Sequence, residues 1–246
     1  MFFYREIVQQ PSYLTTGLVV NLDAAEATSY SGTGNTWYDI SGQSNNGSLV
    51  NSPAYSSNNS GYLEFNNGTN QYCEVNPGTP FNLYCLDIWI YNNYAIPNDD
   101  SPIGGPNTYQ TLVEWAQDNQ SGGSGINLGG WTGAMTNEAI HLWSANDSAT
   151  YNRDATAVGW HNLIFNWNGS TYDIWLDGVK TTTYPIVGYG GFATLVQNVT
   201  QFRIAGRPTS FFYFSGRVAA FKAYNAALTD QQVVQNFDAL KARYGL

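Results

Sequence analysis

The sequence predicts an all-β protein in which two antiparallel sheets pack as a sandwich, with one short C-terminal helix. Three observations lead there. Short apolar, β-branched and aromatic runs recur along the chain, each bounded by Asn, Gly, Pro or Ser clusters, as strands are bounded by turns. Asn168-Gly169 and Asp177-Gly178 separate such runs, and these dipeptides favour the two-residue turns of hairpins. One segment, after Leu228, carries apolar residues at helical spacing.

The elements follow in order. Residues 1–16 read as an N-terminal arm, with Phe2, Phe3, Tyr4 and Ile7 as its apolar docking residues, ahead of one domain over residues 17–246. The arm is expected to pack on its own domain or on another molecule, since free termini fray unless tied down. Strands are expected over 17–23, 47–50, 61–65, 71–75 and 84–91. In the last of these, Leu86, Ile88 and Ile90 form the better core face, and Cys85, Asp87, Trp89 and Tyr91 the opposite one. The stretch 29–46 is turn-rich and contains the tight Trp37-Tyr38-Asp39-Ile40-Ser41-Gly42 element. The middle, 94–133, is loop-heavy apart from a strand over 110–117. Further strands are expected over 139–144, 158–167, 171–177, 179–184, 201–205 and 212–224. In the helix, Thr229 and Gln232 form a Thr-x-x-Gln capping box. Val233, Phe237, Leu240 and Tyr244 form its apolar stripe, Lys241 and Arg243 suit its C-terminal dipole, and Gly245 ends it.

Composition narrows the function classes. The 246 residues carry a formal net charge of −9, with 11% charged and 15% aromatic residues. An acidic chain without a basic stripe is a poor partner for nucleic acid or for an anionic membrane surface. The aromatic content and low charge are unlike those of a disordered chain. The N-terminus lacks the pattern of a signal peptide, and no stretch approaches the ~20 apolar residues of a membrane span, so a protein made soluble in a cytoplasm is expected. Cys73 and Cys85 read as two buried thiols or as a disulfide between neighbouring strands, and two cysteines are too few for a zinc-ribbon cluster.

The ordered series of motifs carries a resemblance. It begins with Gly17-Leu18-Val19-Val20-Asn21-Leu22-Asp23-Ala24, then Ser29 to Gly42, Asn45-Asn46-Gly47-Ser48-Leu49 and Phe65 to Tyr72. It continues through Trp160-His161-Asn162 and Asp177-Gly178 to the ending Gly216 to Gln232. Over residues 17–246 this resembles the laminin-G-like, concanavalin A-like lectin domain, in the form found in bacteriophage structural proteins and bacterial surface proteins. The resemblance implies a jelly roll with one concave face. Relatives on this fold bind sugars, proteins or sulfated polysaccharides, many bind one calcium ion, and a few are glycosidases. Fold alone does not choose among these.

The residues favour binding over chemistry. A retaining glycosidase on this fold would carry Glu-x-Asp-x-x-Glu on one strand, with two carboxyl groups about 5 Å apart. No such run exists: Glu114 stands alone before Trp115, and Asp177 heads a turn. Calcium would need about six to eight oxygen ligands. Asp23 and Asp39 are the candidates, although Asp39 also suits a role as acceptor within its own turn, and the closing strand Val218-Ala219-Ala220-Phe221-Lys222-Ala223-Tyr224 lacks the acidic ligand that the family often places there. For sugar binding, aromatic rings stack on apolar ring faces while amides fix hydroxyls. Trp115, Trp131, Trp143, Tyr109 and Asn119 are the candidates, with Trp115 and Trp143 also suited to packing because they lie in strands.

These features lead to the expectation of a non-enzymatic virion structural or adhesion protein. The role would be that of a capsid decoration or head-fibre module on the virion surface, docked through its arm to other virion proteins or to copies of itself. The alternative is a carbohydrate-binding lectin module, as a tail adhesin or at a cell surface, whose partner is a host surface polysaccharide. A glycoside hydrolase comes third. No cofactor is expected other than Ca2+ at the two aspartates.

Overall fold

The computed structural model describes residues 12–93, 110–117, 124–128, 140–144, 147–151, 158–185, 196–207 and 212–246. The first strands are β1 (Leu18–Asp23), β2 (Thr36–Trp37), β3 (Gly47–Val50), β4 (Ala54–Ser56), β5 (Tyr62–Phe65), β6 (Tyr72–Val75), β7 (Cys85–Asn92), β8 (Gln110–Gln117) and β9 (Ser124–Leu128). They are followed by β10 (Ile140–Ser144), β11 (Asp147–Tyr151), β12 (Gly159–Trp167), β13 (Thr171–Leu176), β14 (Val179–Pro185), β15 (Val199–Ile204), β16 (Gly206–Arg207), β17 (Phe212–Tyr213) and β18 (Gly216–Tyr224). The helix α1 (Asp230–Tyr244) closes the chain.

Two eight-stranded sheets result. The first runs β14-β13-β12-β7-β18-β5-β4, with β1 also paired to β18, and the second runs β11-β10-β9-β8-β15-β6-β3-β2. The pairings within both are antiparallel. Alternate residues of both sheets meet between them. Leu22, Leu63, Ile88 and Phe221 come from the first sheet, and Val75, Trp115, Phe202 and Ile204 from the second. Each such side chain contributes roughly 1.5–3 kcal/mol through removal from water. This is the all-β, two-sheet antiparallel sandwich with a C-terminal helix that the sequence predicts.

Local details follow the residue chemistry. In the turn between β13 and β14, Asp177 and Gly178 both take positive φ, 50° and 78°, as a type I′ turn requires. At the helix start, Thr229 Oγ1 accepts from the Gln232 amide and Gln232 Oε1 accepts from the Thr229 amide, which completes the capping box. In β7, Leu86, Ile88 and Ile90 enter the inter-sheet core, while Cys85 and Trp89 pack on the helix side.

Three expectations are corrected. The Gly-rich stretch read as loop includes β9, where pairing on both sides with β8 and β10 overrides the poor strand preference of Gly125. β11 and β4 are strands that the sequence reading omits. The run read as one strand over 212–224 divides into β17 and β18, and β17 leaves the sheet to pair with β16.

The disulfide alternative is also corrected, because Cys73 and Cys85 are both free and buried. Cys73 lies in the inter-sheet core, whereas Cys85 faces the helix side of the first sheet. Burial pushes both thiols far above the usual range, and a neighbouring carboxylate, Glu74 or Asp87, adds to it. The thiolate is the nucleophile, so neither cysteine is expected to react with iodoacetamide in the native protein, and both should react in denaturant. Native labelling of either at the unfolded rate would contradict this placement.

The end of the segment read as an arm packs on the domain. Tyr13 and Leu14 pack against Cys85, Trp175 and Val233. The Leu14 amide donates to Asn236 Oδ1 at 2.9 Å, and the Tyr224 hydroxyl donates to the Leu14 carbonyl at 3.2 Å. Phe2, Phe3, Tyr4 and Ile7 lie outside the described residues.

Candidate functional site

The two outer faces of the sandwich differ. Over the first sheet, α1 covers the face: Trp89 stacks on Phe237 and Tyr244, and Trp160 meets Tyr244. Tyr13 and Leu14 cover more of it. The second sheet has no such helix among the described residues, and its outer face carries charge.

One cross-strand row traverses this second face from β2 to β9: Thr36, Ser48, Glu74, Arg203, Glu114 and Gly125, and the backbone register continues to positions 143 and 148. Strand alternation explains the outward direction. Cys73 and Val75 flank Glu74, Phe202 and Ile204 flank Arg203, and Val113 and Trp115 flank Glu114, and all six point into the core. Arg203 is the centre. Its Nη1 is 2.7 Å from Glu114 Oε2 and its Nε 3.5 Å from Glu74 Oε2, while Arg207 Nε is 3.3 Å from Glu114 Oε1. Asn76 Nδ2 donates to Glu74 Oε1 at 3.1 Å, and Gln201 Nε2 donates to Asn76 Oδ1 at 2.9 Å. Glu114 is almost completely buried, at 3% side-chain exposure, whereas Arg203, Arg207 and Glu74 remain partly open. The rings of Tyr72 and Tyr213 lie beside the cluster, 6.3 Å apart. Burial, helped by Glu74, raises the Tyr72 phenol above its usual range, so it stays a hydroxyl donor at neutral pH. In the same row Gly125, itself buried, is the cross-strand neighbour of Glu114.

This arrangement offers fixed donors, fixed acceptors and one partly exposed aromatic ring, Tyr72 backed by the buried Tyr213, which is a chemistry for holding a hydroxylated ligand. Glycoside hydrolysis needs two carboxyl groups facing a shared gap. Here the Arg203 guanidinium contacts both Glu74 and Glu114.

The predicted site residues fare differently. Trp115, only 1% exposed, packs against Phe165 between the sheets, so it offers no ring face to a sugar, and its expected ligand contact is corrected. Strand packing wins because β8 alternation turns it inward while Glu114 turns out. The backbone of Trp143 takes the row position beside Gly125. Tyr109, Trp131 and Asn119 lie outside the described residues.

The two calcium candidates are occupied by protein donors. Both Asp23 oxygens accept from Arg243 Nη1, at 2.9 and 2.8 Å, and Oδ1 also accepts from the Ala25 amide. Asp39 Oδ1 accepts from the amides of Asn21 and Ser41, and Oδ2 from the Ser41 hydroxyl and the Asn45 amide. Both therefore serve as acceptors for protein donors in this structure, which for Asp39 is the turn role that the sequence also offers. Among the described residues no three His, Cys, Asp or Glu side chains form a metal-holding group.

Sequence reasoning passed over Glu74, Arg203 and Arg207. A signal was present: one charged residue between two apolar ones in Cys73-Glu74-Val75, Val113-Glu114-Trp115 and Phe202-Arg203-Ile204. That pattern marks a single polar tooth on an otherwise inward-facing strand.

The fold is a two-sheet antiparallel β-sandwich, and comparison with known proteins bears on it. No family model and no curated protein matches the sequence. Among solved structures the chain is similar to domain 4 of AbnA, a GH43 extracellular arabinanase from Geobacillus stearothermophilus, in complex with arabinotriose. The TM-score is 0.61 at 15% identity, over 93% of this chain and 99% of that one. It is similar to the Trypanosoma rangeli sialidase in complex with the inhibitor DANA, with TM-score 0.60 and 13% identity over 94% of this chain and 35% of the sialidase. A third likeness is to a botulinum neurotoxin type C structure whose cell entry is described as dependent upon interaction with two ganglioside molecules. Its TM-score is 0.61 at 11% identity, over 91% of this chain and 51% of that one. The chain spans about a third of the sialidase and half of the toxin chain. At these identities the likeness shows the fold alone.

Proposed function

We propose that this chain is a non-catalytic carbohydrate-binding module whose glycan lies across the outer face of the second sheet. The observation that carries this reading is the polar row Glu74–Arg203–Glu114 with Arg207, Tyr72 and Tyr213 beside it. Arg203, Arg207 and Glu74, each partly exposed, can donate to and accept from sugar hydroxyls, and the partly exposed Tyr72 ring suits their apolar faces. The arabinotriose complex of a domain with this fold, and the toxin structure described with gangliosides, support the reading.

A glycan array on the purified chain tests it. Binding to at least one glycan is expected, and Arg203→Ala should weaken it by about 1.5–3 kcal/mol, or roughly 10- to 100-fold, if the guanidinium makes a charge-assisted hydrogen bond to the ligand. Melting curves of the variant separate lost binding from lost folding. An array with no bound glycan, or a folded Arg203→Ala variant of unchanged affinity, would remove the proposal.

A second reading places this module on a bacteriophage particle, on the virion surface after synthesis in the host cytoplasm. There it would contact other virion proteins or copies of itself, with a host polysaccharide as the outward ligand. The observation favouring it is the tethering of Ser12 and Leu14 to α1 through Gln235 and Asn236, which gives the preceding apolar residues a fixed point of departure. Deleting residues 1–11 should leave the melting temperature unchanged and abolish incorporation into particles. Normal incorporation of the truncated chain would exclude the docking role.

A further inference from the structure

Three polar side chains lie side by side on the covered face of the first sheet. Asn21 on β1 is the cross-strand neighbour of Lys222 on β18, and Lys222 is the neighbour of Asp87 on β7. The residues flanking them, Val20, Leu22, Phe221, Ala223, Leu86 and Ile88, enter the inter-sheet core, so these three face α1 and Tyr13. All three are at most 1% exposed.

Their hydrogen bonding is unequal. Asp87 is held on both oxygens, Oδ1 accepting from Asn162 Nδ2 at 2.8 Å and Oδ2 from Asn236 Nδ2 at 3.4 Å. Asn21 Nδ2 donates to the Tyr13 hydroxyl at 3.1 Å, but its Oδ1 accepts nothing. Lys222 Nζ has no hydrogen-bond partner and lies 5.1 Å from the centroid of the same Tyr13 ring. A fully buried amine without an acceptor is costly, and so is a buried carbonyl without a donor. Here the two orphans are direct cross-strand neighbours under one tyrosine. Cross-strand Cβ atoms are about 4.5–5.5 Å apart, within the reach of a lysine side chain.

We propose that Lys222 and Asn21 form an intramolecular isopeptide bond that ties β18 to β1, with Asp87 as the proton carrier. Asp87 takes a proton from the Lys222 ammonium, and the freed amine attacks Cγ of Asn21. The new Nζ–Cγ bond forms as the Cγ–Nδ2 bond breaks, and Nδ2 leaves as ammonia with the proton lost by Nζ. Asp87 gives up the proton it first took, so ammonium and a secondary amide replace the lysyl ammonium and the carboxamide. No oxidant or cofactor enters. Burial raises the Asp87 carboxyl above the usual range, against the pull of Lys222 and the amides of Asn162 and Asn236, which makes it a stronger base than an exposed aspartate. Tyr13, Tyr224 and Asn236 close the site, and the last two are hydrogen-bonded to each other at 2.9 Å. The bond would fix the first strand, which among the described residues pairs with β18 alone, to the closing strand. A pull on the N-terminal segment would then load a covalent link instead of a ladder of hydrogen bonds. This inference is independent of the glycan reading.

Mass spectrometry of the purified full chain decides it. The wild type is expected to be one ammonia lighter than its sequence specifies, and trypsin should fail to cleave after Lys222. A peptide joining the Asn21 and Lys222 segments should appear in the digest. Lys222→Met and Asn21→Ala should restore the full mass, and Asp87→Asn should do so while circular dichroism still reports a fold. The wild-type peptide map decides the matter even if these variants fail to fold. Free Lys222 in folded wild type, or loss of water with a link to Asp87, would overturn the proposal.

Discussion

Trp89→Ala is expected to cost about 3–5 kcal/mol, the range for deleting a buried tryptophan. Trp89 is fully buried on the helix side of β7. Its ring lies 5.7 Å from that of Phe237 at an interplanar angle of 2°, and 4.6 Å from that of Tyr244. Alanine would leave a cavity between sheet and helix and remove both stacks at once. The loss is a large fraction of the 5–15 kcal/mol that holds a typical domain. In a chain of this size it should lower the melting temperature by about 2–4 °C per kcal/mol. Trp89→Phe, which keeps a ring in the stack, should lose much less. Urea denaturation followed by helical circular dichroism measures both, and a loss below about 1 kcal/mol for the alanine variant would show that the helix is held elsewhere.

Asp23→Ala should cost about 3 kcal/mol, the lower end of the range for breaking a buried ion pair from one side. Asp23 ends β1, and Arg243 reaches it from the last turn of α1, so the pair joins the two ends of the domain. Removing the carboxylate leaves a guanidinium at 19% exposure, with the Glu26 carboxylate 3.7 Å away. That residual exposure is the reason for the lower figure. The double variant Asp23→Ala with Arg243→Met should recover part of the loss, because no orphaned charge remains. If the two single losses simply add in the double variant, the pair is not coupled and this account of it fails.

Much of the architecture could be read from local pattern. β7 illustrates why: alternation assigned Leu86, Ile88 and Ile90 to one face and Cys85 and Trp89 to the other, and each face found its own apolar partner. The helix was legible for a similar reason, since Thr229, Gln232 and Gly245 act within a few residues of themselves. β9 and β11 were not legible. Their residues have weak strand preference, and neighbours supply the hydrogen bonds that make them strands. The candidate site was hidden more completely. Glu74, Glu114 and Arg203 are far apart in the chain and meet only because β15 lies between β6 and β8. The aromatic residues drew attention instead, and Trp115 shows that ring chemistry does not reveal which way a strand turns.

The sequence by itself determined where many of the strands and turns and the helix lie, and which residues of those strands share a face. These are properties of a few neighbouring residues: the period of the side chains, the φ preference of Gly and Asn, and the reach of a capping hydroxyl. The tertiary structure alone decided which face is covered, which charges meet, and that Asn21, Lys222 and Asp87 stand in one buried row. Those outcomes depend on strand order and register between segments remote in sequence, which packing of the whole core sets and no local preference encodes.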